Sequence, residues 1–324
     1  MGIFVFLPLV LPLTAWPIAR LAEQHLHPRT ATRLLAWVAG SMAVCSTLCL
    51  ALLVVVGTAQ LPGNPLPDGW SDPEVRAAVP HDEIAGRVAI PALLLVAAAC
   101  GRTLWRHRRV RRGAWAALAG LPDSPVAVLP DDAPYAYALP GSERGRGRGP
   151  RRGSGRGDGK IVVTTGMLSC LDSGERRALF AHERVHIAGR HHRHLLAVQL
   201  AARANPFLRP LRTAVFFAAE RWADEEAARA VGSRKVVARA IGKAALVSQG
   251  APGPTLAGFA APGPVPRRVA ALLGPAPAQR IWPPVWTAVG LATWTAAGGT
   301  ALSAMASANS AVTLFFVLHA ATPL

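Results

Sequence analysis

The pattern HExxH at His182, Glu183 and His186 is the most chemically informative motif in the sequence. It lies in SGERRALFAHERVHIAGR, where apolar residues recur at helical spacing after Ser173, the predicted N-cap. On a helix the two histidines lie one turn apart on one face, so both imidazoles can reach one zinc ion. Glu183 would then act as general base toward an attacking water. The motif therefore predicts zinc-dependent hydrolysis, but the short pattern also arises by chance.

A zinc site of this kind needs a third protein ligand, and two candidates are open. His192 completes HExxHxxGxxH, a pattern typical of metzincin proteases. Those proteases also need a methionine turn, and residues 187–280 contain no methionine. Glu220 begins ERWADEEAA on a predicted helix, and Asp224 follows one turn later, where it could hydrogen-bond the outer nitrogen of a ligating histidine. The sequence favours Glu220 over His192 and over a run of surface acids.

A family resemblance strengthens the choice of Glu220. The stretch IVVTTGMLSCLDSGERRALFAHERVH, followed by ERWADEEAA, resembles membrane-bound gluzincin peptidases, including the HtpX-type and CAAX-prenyl endopeptidases. It is most similar to the branch of β-lactam-sensing antirepressor peptidases, over residues 125–275. The resemblance implies a catalytic glutamate and a second carboxylate that supports the ligands. Mapped onto this sequence, the implied residues are His182, His186 and Glu220 as zinc ligands, Glu183 as base and Asp224 as the supporting carboxylate.

The resemblance also carries expectations about Arg268 and the substrate. Arg268 falls where related enzymes often have an arginine near the active site, which makes it a candidate stabiliser of the transition state; the alternative is that Arg267 and Arg268 pair with surface acids. The implied substrate is a protein or peptide, either a cytoplasmic transcriptional repressor or a membrane protein. No penicillin-binding sensor domain follows the last apolar segment, so a complete β-lactam sensor is not expected.

The composition indicates a membrane protein. Hydrophobic residues make up 51% of the 324 residues and charged residues only 16%, which is more apolar surface than a soluble core hides. The lipid bilayer is therefore the expected partner. The net charge of +17 raises the alternative of a nucleic-acid binder. Because the basic residues lie mainly beside apolar segments, we favour membrane topology and expect no nucleic-acid partner.

Four apolar segments predict membrane crossings. They are residues 1–19, Leu34–Leu61, Val88–Gly101 and 281–324, the last holding either one span or a tight pair. Arginines lie in the loop between the first and second segments and follow the third segment, whereas the loop between the second and third segments is acidic. Because positive loops stay in the cytoplasm, we expect the region between the third and fourth segments to be cytoplasmic.

These observations predict three parts of a multi-pass protein of the cell membrane. Residues 1–105 hold three transmembrane helices with a cytoplasmic first loop and an acidic outer loop. Residues 106–280 form the cytoplasmic zinc peptidase domain, and residues 281–324 form the C-terminal transmembrane segment. The expected fold is mainly α, an α-helical membrane protein with a cytoplasmic α+β zincin (gluzincin) catalytic domain.

Short strands are predicted inside the cytoplasmic domain at Ala127–Leu129, Tyr135–Leu139 and Ile161–Thr165. The Gly/Arg-rich residues 141–157 contain no apolar side chain and predict a disordered basic insert.

The combined prediction is a membrane-bound zinc-dependent endopeptidase that cleaves a protein substrate. Two alternatives remain: a metzincin-like protease with a third histidine ligand, and a non-enzymatic membrane signalling protein with a structural zinc site. The second is disfavoured because a structural site has no need of a base such as Glu183.

Overall fold

The computed structural model describes residues 2–59, 61, 63, 66–72, 75, 82–122, 124–141, 159–248, 265–277 and 286–322. Apart from Gly141, the predicted disordered insert lies outside the described residues. Parts of the predicted acidic outer loop, at residues 62, 64–65, 73–74 and 76–81, lie outside them as well.

Helices dominate the described part of the chain, as predicted. In chain order the elements are α1 (Leu7–Val10), α2 (Ala15–His25), α3 (Pro28–Ala59), α4 (Asp82–Ala117), β1 (Val126–Leu129), β2 (Ala136–Leu139), β3 (Lys160–Thr164), α5 (Thr165–Cys170), α6 (Ser173–Ala188), α7 (His191–Ala204), α8 (Arg209–Val231), α9 (Arg234–Val247), α10 (Val265–Leu273) and α11 (Ala288–Ala320). Short 3-10 helices add Gly2–Val5, Leu11–Thr14, Asp68–Ser71 and Pro206–Leu208. The predicted fold class, mainly α with a small β component, is confirmed.

The three strands form one sheet in the order β1-β3-β2. Strand β3 runs parallel to β1 and antiparallel to β2, with Ile161 opposite both Val126 and Ala138. Each strand begins or ends within one residue of the predicted bounds. The central β3 is buried along its whole length, which explains its uninterrupted apolar run. Strand β2 lies at an edge of the sheet.

Among the described residues, three helices are long and apolar enough to cross a membrane, namely Pro28–Ala59, Ile84–Ala117 and Gly290–Ala320. The first covers the predicted second span except its last two residues, the second contains the predicted third span, and the described part of the C-terminal region forms a single helix. Residues 2–19 form a series of short helices interrupted at prolines rather than one continuous helix. The predicted crossing by residues 1–19 stays a prediction.

Helices α3 and α4 approach each other closely at two glycines. A Cβ atom on Gly57 would lie 2.5 Å from the backbone of Gly86, so the two backbones touch where neither residue has a side chain. Small residues at such crossings allow membrane helices to pack through their backbones.

Helix α4 links the apolar part of the chain to the sheet. It continues without a break past residue 105, the predicted end of the first region, and ends at Ala117. Immediately beyond it, Leu118 packs with Ala127, Leu139 and Val162 of the sheet. The helix thus spans the predicted domain boundary.

Helix α8 lies at the centre of the helices that follow the sheet. Its Ala219 belongs to a cluster that includes Leu35 of α3 and Val198 of α7. Its Ala227 belongs to a second cluster with Ala178 of α6 and Val237 of α9. Because neighbouring helices cover it on several sides, three of its four acidic residues, Glu220, Asp224 and Glu225, are buried.

Candidate active site

Helix α6 carries the HExxH motif, and a capping box sets where it begins. The Asp172 carboxylate accepts a hydrogen bond from the Glu175 amide at 2.8 Å, and the Glu175 carboxylate accepts one from the Asp172 amide at 3.0 Å. The predicted N-cap, Ser173, is therefore wrong by one residue: Asp172 is the cap, because its carboxylate reaches the free amide three residues on. Glu175 is also fully buried and pairs with Lys243 at 2.8 Å.

The structure brings His182, His186 and Glu220 together. The Nε2 atoms of the two histidines lie 3.0 Å apart. The two oxygens of Glu220 lie 3.6 Å from Nε2 of His182 and 3.5 Å from Nε2 of His186. Four-coordinate zinc with ligands at about 2.0–2.2 Å places neighbouring ligand atoms roughly 3.3–3.5 Å apart. The two histidine–glutamate distances agree with this spacing, and the 3.0 Å distance between the histidines is slightly below it, so the three residues could bind one tetrahedral zinc ion after a small shift of the rings.

The charges around this cluster also suit a cation. Burial would lower the pKa of His182, but the Asp224 and Glu220 carboxylates outweigh burial and raise it to about 10. Burial lowers the pKa of His186 to about 4, which keeps that imidazole neutral and able to donate a lone pair. Burial opposes ionisation of Glu220, yet Arg268 and the histidines hold its pKa well below the usual range. The ionised carboxylates of Glu220 and Asp224 beside the neutral His186 suit a divalent cation, which would replace the proton that these carboxylates hold on His182.

Asp224 and Arg268 lie directly behind the three donors. Oδ1 of Asp224 is 3.0 Å from Nδ1 of His182, the nitrogen that faces away from the cluster. Arg268 donates to Asp224 through Nε at 2.8 Å and Nη2 at 2.6 Å. Its Nη1 lies 2.8 Å from Oε2 of Glu220. The guanidinium is therefore shared between two buried carboxylates on α8, whereas the neighbouring Arg267 pairs with the more exposed Glu23.

Glu183 is buried beside the cluster, between α6 and the sheet. Burial raises the pKa of its carboxyl to about 7, and the adjacent His182 partly opposes that rise. The backbone amide of Ala138 in β2 lies on the same side and also opposes the rise in this pKa. The edge strand thus lies next to the residue predicted to act as base.

His191, which sequence reasoning did not select, is the histidine that follows the motif into the site. Its Nδ1 lies 2.8 Å from Nδ1 of His186. His192 does not join the group of potential metal ligands found in the described residues. It lies instead on the wall of the cleft near Arg111 and His107. The one sequence signal for His191 is its position straight after Gly189 and Arg190, where the motif helix ends.

A cleft of about 600 Å³ opens over the cluster. Much of its wall is apolar and comes from α5, α6 and α9, including Met167, Leu171, Leu179, Val237 and Ile241. Residues 135–138, around the start of β2, line it as well. An extended, largely apolar peptide segment would match this shape and lining.

Two histidines one turn apart, a carboxylate from a second helix and a buried glutamate beside them define the His₂Glu class of zinc hydrolase sites. Comparison with protein families agrees. Residues 101–207, about a third of the chain, match the family described as Peptidase family M48, a family of zinc-dependent metalloproteases. The match supports a zinc metalloendopeptidase. It ends before Glu220, so the family match does not bear on the third ligand. No curated protein and no solved structure matches the chain.

Proposed function

We propose that the protein is a membrane-bound zinc-dependent endopeptidase that cleaves a protein substrate. The observation that carries this proposal is the convergence of three donor atoms, from His182, His186 and Glu220, beside the buried Glu183 in an apolar cleft. These three residues would hold the zinc ion. A bound zinc ion supplies Lewis-acid polarisation of the substrate carbonyl and makes water more acidic.

Glu183 is the general base in this proposal. Its carboxylate takes a proton from the attacking water and then gives it to the leaving amine of the cleaved peptide. The carboxylate and Ala138 of β2 line the same cleft. Because the cleft is mostly apolar, the proton is exchanged with substrate rather than with bulk water.

Asp224 and Arg268 position the ligands. Asp224 faces Nδ1 of His182 at 3.0 Å, which favours the tautomer whose Nε2 lone pair points toward Glu220. The contacts of Arg268 go to the carboxylates of Asp224 and Glu220. This supports a positioning role for Arg268 over the predicted contact with the transition state.

The substrate is proposed to bind as an extended segment along β2. Strand β2 is an edge strand among the described residues and lies next to Glu183, and an added strand could pair with the side that no described strand occupies. The resemblance to antirepressor peptidases favours a cytoplasmic transcriptional repressor as substrate, with a membrane protein as the alternative. Comparing the proteins that accumulate in cells carrying active or Glu183→Gln enzyme would identify it.

The proposed location is the cell membrane, with several crossings and the catalytic region in the cytoplasm. The three apolar helices support membrane insertion, and the arginines at the start of α3 and in the second half of α4 support the orientation. A reporter fused near residue 125 should be active in the cytoplasm. Activity of that fusion only outside the cell would contradict the orientation.

Glu183→Gln tests the mechanism. The full-length protein, purified in detergent with zinc, should cleave an unfolded protein substrate, and the variant should be at least about 10²-fold slower. The variant should keep its zinc, because the substitution leaves all three donor side chains in place. Arg184→Gln, an exposed change at the next position, is the matched control and should retain activity. Unchanged proteolysis by Glu183→Gln would exclude the proposed base.

The choice between Glu220 and His192 as third ligand has its own test. Glu220→Ala should lose zinc, whereas His192→Ala should keep it, since only Glu220 reaches both motif histidines. The opposite pattern of zinc content would favour the metzincin-like alternative.

A further inference from the structure

We propose that His191 is a positioning residue that fixes the orientation and tautomer of His186 through an imidazole–imidazole hydrogen bond. The inference rests on the proposed zinc site and adds a residue to it. His191 is absent from the predicted ligand set, and its contact with His186 became visible only in the folded structure.

The chemistry of the contact determines which nitrogen carries the proton. Nε2 of His186 faces His182 and Glu220, so its lone pair is needed at the metal and its proton must be on Nδ1. That Nδ1–H points at Nδ1 of His191, 2.8 Å away, which must therefore accept the hydrogen bond. His191 consequently carries its own proton on Nε2. The pair allows a single arrangement of protons that leaves His186 ready to bind zinc.

The backbone before His191 is shaped to make this contact. Gly189 has an ordinary helical φ of −74°, so the backbone conformation at this position does not require glycine. A Cβ atom there would lie 2.6 Å from Nε2 of His191, so the missing side chain makes room for the ring. Arg190 has φ of 50°, and it is the only non-glycine residue in the described ranges with positive φ. This left-handed turn ends α6 and starts α7 with the His191 ring facing back toward His186.

The surroundings of His191 hold the ring in place. Its ring lies against Trp222 of α8, with the centroids 4.5 Å apart, and it is 1% exposed. Arg29 and Arg33, at the start of α3, stack on Trp222 at 5.5 and 5.3 Å. The His191 ring thus contacts both α6, which carries His182 and His186, and α8, which carries Glu220.

The unpaired Nε2 of His191 indicates that the role of this imidazole lies in its other nitrogen, Nδ1. Nε2 of His191 has no hydrogen-bond partner among the described residues, although it is buried. An unpaired buried N–H group is costly. A phenylalanine would fill the same space against Trp222 without that cost. A histidine gains over phenylalanine only through the acceptor at Nδ1.

The experiment measures zinc affinity of the purified full-length protein by competition with a chelator of known affinity. His191→Phe keeps the ring and its stacking on Trp222 but removes the acceptor, so zinc should bind about 10–100-fold more weakly. His191→Asn places an oxygen acceptor near the former Nδ1 position and should recover most of the affinity. His192→Phe is the matched control and should bind zinc as the wild type does. The melting temperature of each metal-free variant monitors folding.

Gly189→Ala provides a second test, in a variant that still has histidine at position 191. The added methyl group displaces the ring from His186, so zinc affinity should fall in the same direction as in His191→Phe. The inference is overturned if His191→Phe binds zinc as tightly as the wild type, or if the Asn and Phe variants are equally weak, since then only packing matters. Failure of the wild type itself to bind zinc would instead refute the proposed function.

Discussion

Asp224→Asn offers a sharp test of how the buried carboxylates behind the cluster support zinc binding. The Asp224 side chain is 2% exposed, accepts two hydrogen bonds from Arg268, and faces Nδ1 of His182 at 3.0 Å. Asparagine keeps the size but removes the negative charge. The variant therefore leaves Arg268 with a single carboxylate partner, Glu220, and leaves His182 facing a neutral amide.

The size of the effect follows from these contacts. Removing one partner of a buried ion pair costs about 3–5 kcal/mol. Because Arg268 keeps Glu220 at 2.8 Å, we expect the lower end, about 3 kcal/mol, in the stability of the metal-free protein. Losing the carboxylate that orients a ligating histidine should weaken zinc binding about 10–100-fold, or roughly 1.4–2.8 kcal/mol.

The matched control is Glu225→Gln on the same helix. Glu225 is also buried and accepts bonds from Arg234 at 3.1 and 2.7 Å, but this pair contacts none of the zinc donors. Both variants should melt at lower temperature, and only Asp224→Asn should bind zinc more weakly in chelator competition. Equal zinc affinity of Asp224→Asn and the wild type, or an equal loss in both variants, would refute the reasoning.

Three further predictions concern the helix carrying the motif, the packing of the apolar helices and the metal. Asp172→Ala removes the cap of α6 and should lower the melting temperature, whereas Asp172→Asn should melt near the wild type because asparagine also caps. Gly86→Leu should force α3 and α4 apart and lower the yield of folded protein, whereas Gly101→Leu on the same helix, with no atom near its added Cβ, should not. Chelation should lower the melting temperature of the wild type. If zinc was present at 100 times its Kd, its removal lowers the free energy of unfolding by about 2.7 kcal/mol. The Glu220→Ala variant should show no such shift, and a shift equal to that of the wild type would place the metal elsewhere.

The local parts of the site could be predicted from the sequence because they depend on helix periodicity. The spacing of His182 and His186 places both rings on one face of any helix. The run ERWADEEAA indicated a carboxylate one turn before Asp224, and the structure places these side chains near the motif. The three strands were also located within a residue, since apolar runs and turn residues mark them directly.

Other features of the site and fold could not be predicted, because they depend on long-range packing or on the backbone conformation of a single residue. The pattern HExxHxxGxxH drew attention to His192, but the left-handed turn at Arg190 directs His191 into the site instead. The pairing of Arg268 with two carboxylates on α8 needs α10 to fold back across 44 residues, which no local pattern reveals. At the N-terminus, prolines in an uncharged segment were compatible with a kinked span, whereas the structure has separate short helices.

The central claim is that two imidazoles and a carboxylate from different helices hold one zinc ion. Elemental analysis combined with X-ray absorption spectroscopy on purified full-length protein tests it most directly. We predict one zinc per chain with nitrogen and oxygen donors only, retained in Glu183→Gln and lost in Glu220→Ala. Folded protein that takes up no stoichiometric zinc, or a zinc ion with sulfur donors, would contradict the account.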